Sequence, residues 1–465
     1  MPTATKDALK QAVCAAIDQR RDEIVRIGDT ILHHPETGFR EVNTARLVAE
    51  QMERLGLRPQ TGLALTGVKG RLACGPNGGT DGGAAGGKAG PTVALLGELD
   101  SLRVSEHPLA DPGTGAAHAC GHNAQIAGML GAAMGLLAAG APAQLAGSLV
   151  FFAVPAEEFI DVEERLALRA QKKLEFLTGK GELIGLGHFD DIDLAMMIHT
   201  KNGEGAPAMM ADTSNGAVIK KMRFLGRAAH AGSKPQMGIN ALNAATLAMT
   251  AIALHRETFY DDDTIRIHPI ITRGGDAVSV VPAEVTLETF VRGKTLSGIV
   301  DANRKVDRCL RAAAMAIGCE VEIQTIPGYL PQLNNRAMGE LFGANARSVM
   351  GVGEFPMGGH RTGSTDMGDV GHIMPVIHPY VRGADGNAHA RDWQIADPTD
   401  AYLTPAKLLA CTAIDLLWGD AGAATRVLAD SPPRMSKDEY LKFCRDLFSE
   451  ESYRAEPPEE PKAGW

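Results

Sequence analysis

Apolar residues near the start of the chain recur at helical spacing. Val13 and Ile17, then Ile24, Ile27, Ile31 and Leu32, mark residues 6 to 27 and just beyond as helical, and a second stretch of this kind covers 43 to 56. Such spacing buries one face of a helix. Short apolar runs follow at 92–96, 148–154 and 192–198, with a strongly apolar helical stretch at 126–139 before the second of them. Strands that alternate with helices predict a largely parallel α/β sheet.

The texture changes near residue 216. Residues 218–225, 264–272, 284–291 and 320–325 read as strands, and 240–256 and 297–317 as helices. That order, β-α-β-β-α-β, predicts a compact ferredoxin-like α+β domain. After Tyr329 the first texture returns, with a helix at 336–350, a strand at 373–378 and a helix at 405–417. The expected fold is therefore a split α/β catalytic domain, 1–215 and 329–465, carrying an inserted α+β domain at 216–328. Residues 77–90, rich in Gly and Ala, read as a surface loop, and the polar, Pro-rich tail from Glu450 reads as loosely held.

Composition narrows the class. With 465 residues the chain is long for one core, and 45% hydrophobic with 22% charged residues describes a globular enzyme. A net charge of -10 argues against nucleic-acid binding. No apolar run reaches membrane-spanning length, and the first twenty residues lack a compact apolar leader, so the expected location is the cytoplasm, without membrane association. Seven scattered cysteines fit a reducing compartment.

One cysteine has chemical company. Cys120 and His122 lie in His118-Ala-Cys-Gly-His-Asn123, and Glu157 and Glu158 follow in Pro155-Ala-Glu-Glu, at the end of an apolar run. A thiolate and an imidazole can grip a transition metal, and Glu158 can join them. Two adjacent carboxylates are costly together unless a cation offsets their repulsion. Glu157 is then left to act as general base on water activated by the metal. His199, at the end of the 192–198 run, and His389, in a Gly-rich loop, could complete the shell. His118, His33, His34, His372 and His378 compete for the same role. Mixed sulfur, imidazole and carboxylate ligands suit manganese or zinc, and also nickel or cobalt, at one or two ions per chain.

At these residues the sequence resembles the aminoacylase/carboxypeptidase family of metallopeptidases, family twenty of the peptidase classification. Its amidohydrolase branch, with the auxin-conjugate, hippurate and aminobenzoyl-glutamate hydrolases, fits best. The resemblance runs from about residue 20 to 420. It rests on His34-Pro-Glu-Thr-Gly-Phe39, Cys120-Gly-His122, Pro155-Ala-Glu-Glu158, Gly226 through Gly232, and Val280-Val-Pro282. The stretch Gly363-Ser-Thr-Asp-Met-Gly-Asp-Val370 looks most like the aminobenzoyl-glutamate subgroup.

The resemblance implies two metals bridged by the Cys120 thiolate, with His122, Glu158, His199 and His389 as the other ligands. It implies Glu157 as the base and the inserted domain as lid and dimerisation domain. His230 would reach across the homodimer to stabilise the oxyanion, and Arg292 would grip a substrate carboxylate. Departures from the family pattern are Asn123 and Gln125, where an Asp and a His are usual, and Ser279, where an Asn often stands. Asn123 and Ser279 are taken as substrate-facing positions, and Asp100 as a carboxylate orienting a metal ligand.

The expected activity is metal-dependent hydrolysis of a C–N bond, the amide of a small aromatic N-acyl amino acid such as aminobenzoyl-glutamate. Hydrolytic deamination of an aromatic amine, as by nitroanthranilate aminohydrolase, is the rival chemistry. A non-catalytic binding subunit on a hydrolase fold is the rival class.

Overall fold

The computed structural model describes residues 5–75 and 90–456. Nearly all of the glycine-rich loop expected at 77–90, and the last residues of the tail, fall outside the described residues. Two compact units emerge. One takes residues up to 213, 332–360 and 366–437; the other takes 214–331, 361–365 and the residues from 438 on.

The first unit is built on a mixed sheet. Among the described residues its strands run in the order Gln60–Leu63, Gly67–Ala73, Ser148–Val154, Thr92–Glu98, Leu194–Met196 and Val376–Ile377. Thr92–Glu98 pairs in parallel with the strands on both sides of it, and Gly67–Ala73 joins antiparallel. All seven residues of Thr92–Glu98 are buried, as expected of a strand covered on both faces. Two carboxyl ends of these strands lead directly into chemistry: Thr92–Glu98 into Asp100, and Ser148–Val154 into the Pro155–Glu158 turn. Open α/β sheets place their sites at such ends.

The helix His122–Ala138 crosses this core. It is apolar on every side and buried from His122 to Leu136, the pattern of a fully enclosed helix. Small residues let it sit close to its neighbours. A Cβ on Gly135 would lie 2.4 Å from Cγ1 of Ile17, on the helix Lys6–Gln19.

The second unit is a ferredoxin-like sandwich. Its antiparallel sheet runs Arg266–Ile267, Glu284–Gly293, Gly216–Leu225, Glu320–Tyr329, Ser449–Arg454. Burial alternates strictly along Glu284–Gly293, so one face is apolar. Helices Ala241–Leu254 and Leu296–Ile317 supply the side chains that pack with that face in the unit's core.

The structure corrects three details of the sequence reading. The tail is not loose throughout: Ser449–Arg454 pairs with Glu320–Tyr329 as an edge strand of the sheet, and Tyr453 packs on the core. That pairing satisfies backbone groups which the polar composition did not reveal. Accordingly, residues from 438 on, with 361–365, belong to the second unit instead of the catalytic one. The strand expected at 264–272 splits into Arg266–Ile267 and Ile270–Arg273, because Pro269 has no N–H to donate. Beyond the Pro155–Glu158 turn the helix Val162–Ala170 ends just before Lys172, which turns left-handed at φ 58°. Among the described residues no helix is long and apolar enough to cross a membrane.

Candidate metal centre

A tight turn aims Cys120 and His122. Gly121 precedes the His122–Ala138 helix at φ 89°, where a Cβ would lie 3.1 Å from Cβ of Thr200. Only glycine takes that conformation freely. Sγ of Cys120 comes 3.3 Å from Nε2 of His199. His122 points Nδ1 at the carbonyl oxygen of Asp100, at 2.8 Å, so Nδ1 carries a proton and Nε2 is the nitrogen that faces the cluster.

The carboxylates come from a strained turn. Ala156 is buried and left-handed at φ 52°, and His389 is left-handed at φ 64°. Non-glycine residues in that region cost energy and mark positions held by their surroundings. For Ala156 the holders can be named: its N–H donates to the buried Glu41 at 2.8 Å, and Glu41 also accepts from the Thr66 hydroxyl. The buried Arg165 donates to the carbonyl of Glu158 and lies over the rings of Phe39 and Phe159. This explains the signature His34 to Phe39 physically, since a Cβ on Gly38 would come within 2.9 Å of Ala156.

Three groups of ligand atoms result, each mutually within 4.8 Å: Cys120, His122 and His199; Cys120, Glu158 and His389; and Glu98, His122 and Glu157. Cys120 is common to the first two. Nε2 of His122 and Oε1 of Glu158 are buried and form no hydrogen bond among the described residues. Glu98 and His389 nevertheless stand 3.1 and 3.2 Å from them. Ligand atoms brought this close together without hydrogen-bond geometry fit a shared cation, although His389 itself is exposed.

The electrostatics agree. Burial resists ionisation of Cys120, but His199 and His122 beside it outweigh that cost and bring the thiol down to about 5, so the sulfur is a thiolate at neutral pH. For Glu157, burial first and the charges of Glu98, Glu158 and Asp366 next push the carboxyl well above its usual range. Glu158 is lowered, because the imidazole of His389 beside it outweighs the cost of burial.

Of the remaining expected site residues, Asp100 is fully buried. Its Oδ2 accepts from the N–H of Glu158 at 2.9 Å, and Oδ1 stands 3.3 Å from Nδ1 of His122. Asn123 does not join the cluster. It is fully buried and its amide donates to the carbonyl of Gly28 and the hydroxyl of Tyr402. One position along a helix turns a side chain by about 100°, so Asn123 faces Gly28 and Tyr402 while its neighbour His122 faces the cluster. His230, Ser279 and Arg292 lie in the second unit. His230 is exposed, with Nδ1 accepting the N–H groups of Gly232 and Ser233 at 3.1 Å each. Ser279 is exposed, and its carbonyl accepts the N–H of Ala231. Arg292 donates to the Ser364 hydroxyl and lies over the ring of Phe290.

Residues that spacing did not reveal surround the cluster. Glu98 accepts from Gln125 at 2.8 Å and from Lys180 at 2.6 Å, and Lys180 also pairs with Asp366. Burial works against the Lys180 charge, but Asp366 and Glu98 together raise it above the ordinary lysine value. His118 and His378, two of the competing histidines, are buried without hydrogen-bond partners among the described residues, and burial lowers both to about 3.

Residues 94–415 match the family model of peptidase family M20/M25/M40. The chain belongs to that family. It is 31% identical over 348 residues to a mouse (Mus musculus) Xaa-Arg dipeptidase, covering 72% of each chain. It is 28% identical over 357 residues to an indole-3-acetyl-aspartic acid hydrolase from Enterobacter agglomerans, covering 66% of this chain and 76% of that one. A dinuclear metal-binding M20 peptidase from Bacillus subtilis superposes with a TM-score of 0.61 at 18% identity, over 86% of this chain and 99% of the other. As an M20 enzyme the protein is a hydrolase of C–N amide bonds, and its ligand groups are those of a divalent-metal site.

Proposed function

We propose that this M20 hydrolase cleaves the amide of a small aromatic N-acyl amino acid with a free carboxylate, of the aminobenzoyl-glutamate kind. The carrying observation is the Cys120 sulfur common to two ligand groups, with Glu157 beside them. Cys120, His122 and His199 would hold one divalent ion and Cys120, Glu158 and His389 a second, manganese or zinc foremost. When bound, such ions polarise the amide carbonyl and lower the pKa of water.

The chain's own residues supply the rest. Glu157 takes the proton from the attacking water and delivers it to the leaving nitrogen. Its raised affinity for a proton suits both halves of that task. The C–O bond forms first, moving the carbonyl pair onto oxygen; the pair then returns and the C–N bond breaks, giving a carboxylic acid and a free amine. His230 accepts hydrogen bonds at Nδ1, so its Nε2 carries a proton to offer the developing oxyanion of a partner protomer. Arg292 supplies a fixed cation for the substrate carboxylate.

A second reading is a dipeptidase acting before a C-terminal basic residue, favoured by the 31% identity to the Xaa-Arg dipeptidase. Both readings share the amide and the carboxylate, and differ in the acyl and side-chain pockets. The test is a chromatographic product assay on metal-loaded protein with aminobenzoyl-glutamate, hippurate, indoleacetyl-aspartate, Xaa-Arg dipeptides and nitroanthranilate. Release of glutamate with its aromatic acid establishes the leading reading, and free arginine alone transfers the assignment to the second. Ammonia from nitroanthranilate, with every amide intact, overturns both.

A further inference from the structure

A lysine with no solvent exposure stands in the wall of the metal centre, where nothing in the reaction uses it. Lys180 donates from Nζ to Oε1 of Glu98 at 2.6 Å and to Oδ1 of Asp366. Its backbone N–H donates to Oδ2 of the same Asp366 at 3.0 Å. The other oxygen of Glu98, Oε2, lies 2.8 Å from Nε2 of Gln125 and 3.1 Å from Nε2 of His122. Glu98 thus has one oxygen tied to the lysine and the other facing Nε2 of His122.

The segment that carries Lys180 is stitched to the catalytic turn. The N–H of Gly179 donates to the carbonyl of Ala156 at 3.2 Å, and a Cβ on Gly179 would lie 1.6 Å from the carbonyl oxygen of Pro155. Ammonium and turn therefore move together. A buried ammonium is expensive unless it is paired and hydrogen-bonded. Replacing an apolar contact with this ion triad brings no net stability of itself, so its presence beside the ligand set calls for a positional reason.

We infer that Lys180 is a positioning residue: by bridging Glu98 and Asp366 it holds the Glu98 carboxylate on the His122 side of the metal centre and keeps it from collapsing into the ligand set. Glu98 has the reach to do so, since its oxygen already lies within 4.8 Å of the ligand atoms of His122 and Glu157. Gln125 completes the clamp, because a neutral amide donor can bind the second oxygen of Glu98 while its own oxygen accepts the Glu98 N–H at 3.1 Å. The departure of this chain at position 125 is thereby tied to the same carboxylate.

The inference rests on the metal reading above, and the experiment separates the two. Apo protein is titrated with cobalt(II), reading affinity by competition with a chromophoric chelator and ligand geometry from the visible spectrum. Wild type, K180M/D366N and E98Q are compared, with melting temperature recorded for each. The double substitution removes the lysine together with one of its two buried acids. E98Q keeps the side-chain shape and leaves Lys180 its Asp366 partner, and it carries the test should the double variant not fold. Both variants are expected to bind cobalt about 10- to 100-fold more weakly, the usual cost of losing a group that orients a ligand, with an altered spectrum. A folded variant, either one, that takes up cobalt with wild-type affinity and spectrum overturns the positioning role while leaving the metal site intact. Wild type that takes up no cobalt removes the metal reading and this inference together.

Discussion

The carboxylate of Asp100 accepts a hydrogen bond from the backbone N–H of Glu158 at 2.9 Å, while the Asp100 carbonyl takes the Nδ1 proton of His122. One residue therefore fixes two proposed ligands from different elements, the turn after one strand and the first turn of a helix. Replacing Asp100 with Ala leaves the N–H of Glu158 buried without its acceptor. We expect D100A to lower metal affinity about 10- to 100-fold, measured by competition titration. Unchanged affinity would show that the turn holds itself.

Glu157 stands outside both cysteine ligand groups, as the role of base proposed for it requires. E157Q keeps shape and removes the base. Its kcat should fall by about 10²- to 10⁴-fold, while metal content, read by elemental analysis, stays at the wild-type level. Parallel loss of metal would make Glu157 a ligand instead.

Glu41 gives a pH signature that does not depend on catalysis. Burial, then the nearby Asp100, raises its carboxyl to about 7 from 4.5. A raised acid contributes stability that is fully present below the unfolded pKa and is lost as pH rises through the folded one. Between pH 5 and 8 the wild type should lose on the order of 2 to 3 kcal/mol relative to E41Q. Thermal melts of the two proteins across that range, at constant metal loading, should show the melting temperatures converging or crossing. Parallel curves would contradict the assignment.

The second unit exposes an unusual set of large apolar residues: Leu254 and Tyr260 on one segment, and Ile270, Ile271 and Val278 on another. Exposed large apolar side chains are the kind of surface an interface would cover. With the homodimer proposed through 216–328, light scattering after size exclusion should give twice the chain mass, and L254D/Y260D should give a monomer. A wild-type monomer at micromolar concentration would remove the dimer and with it the cross-protomer role of His230.

Much of this centre is legible in the sequence. Cys120, His122, Glu157 and Glu158 sit in short motifs, and motif spacing survives folding because each lies in a single turn. The β-α-β-β-α-β order is legible for the same reason, being a run of local periodicities. Lys180 is not, because its meaning is a pairing with Glu98 across 82 residues and with Asp366 across 186. Nothing near it in sequence signals burial. The orientation of Asn123 is hidden too, because adjacency to His122 in sequence is not adjacency in space when a helix separates neighbours. The strand Ser449–Arg454 escapes because its polar side chains fit an exposed sheet edge as well as a loose tail.

The sharing of Cys120 between two ligand groups is the centre of this account, and metal stoichiometry tests it most directly. Equilibrium dialysis against zinc, with zinc determined per chain, should give two equivalents for wild type. H199A and H389A should each retain one tightly bound equivalent, whereas C120A should weaken both. A C120A protein that still binds two equivalents with wild-type affinity would contradict a shared thiolate.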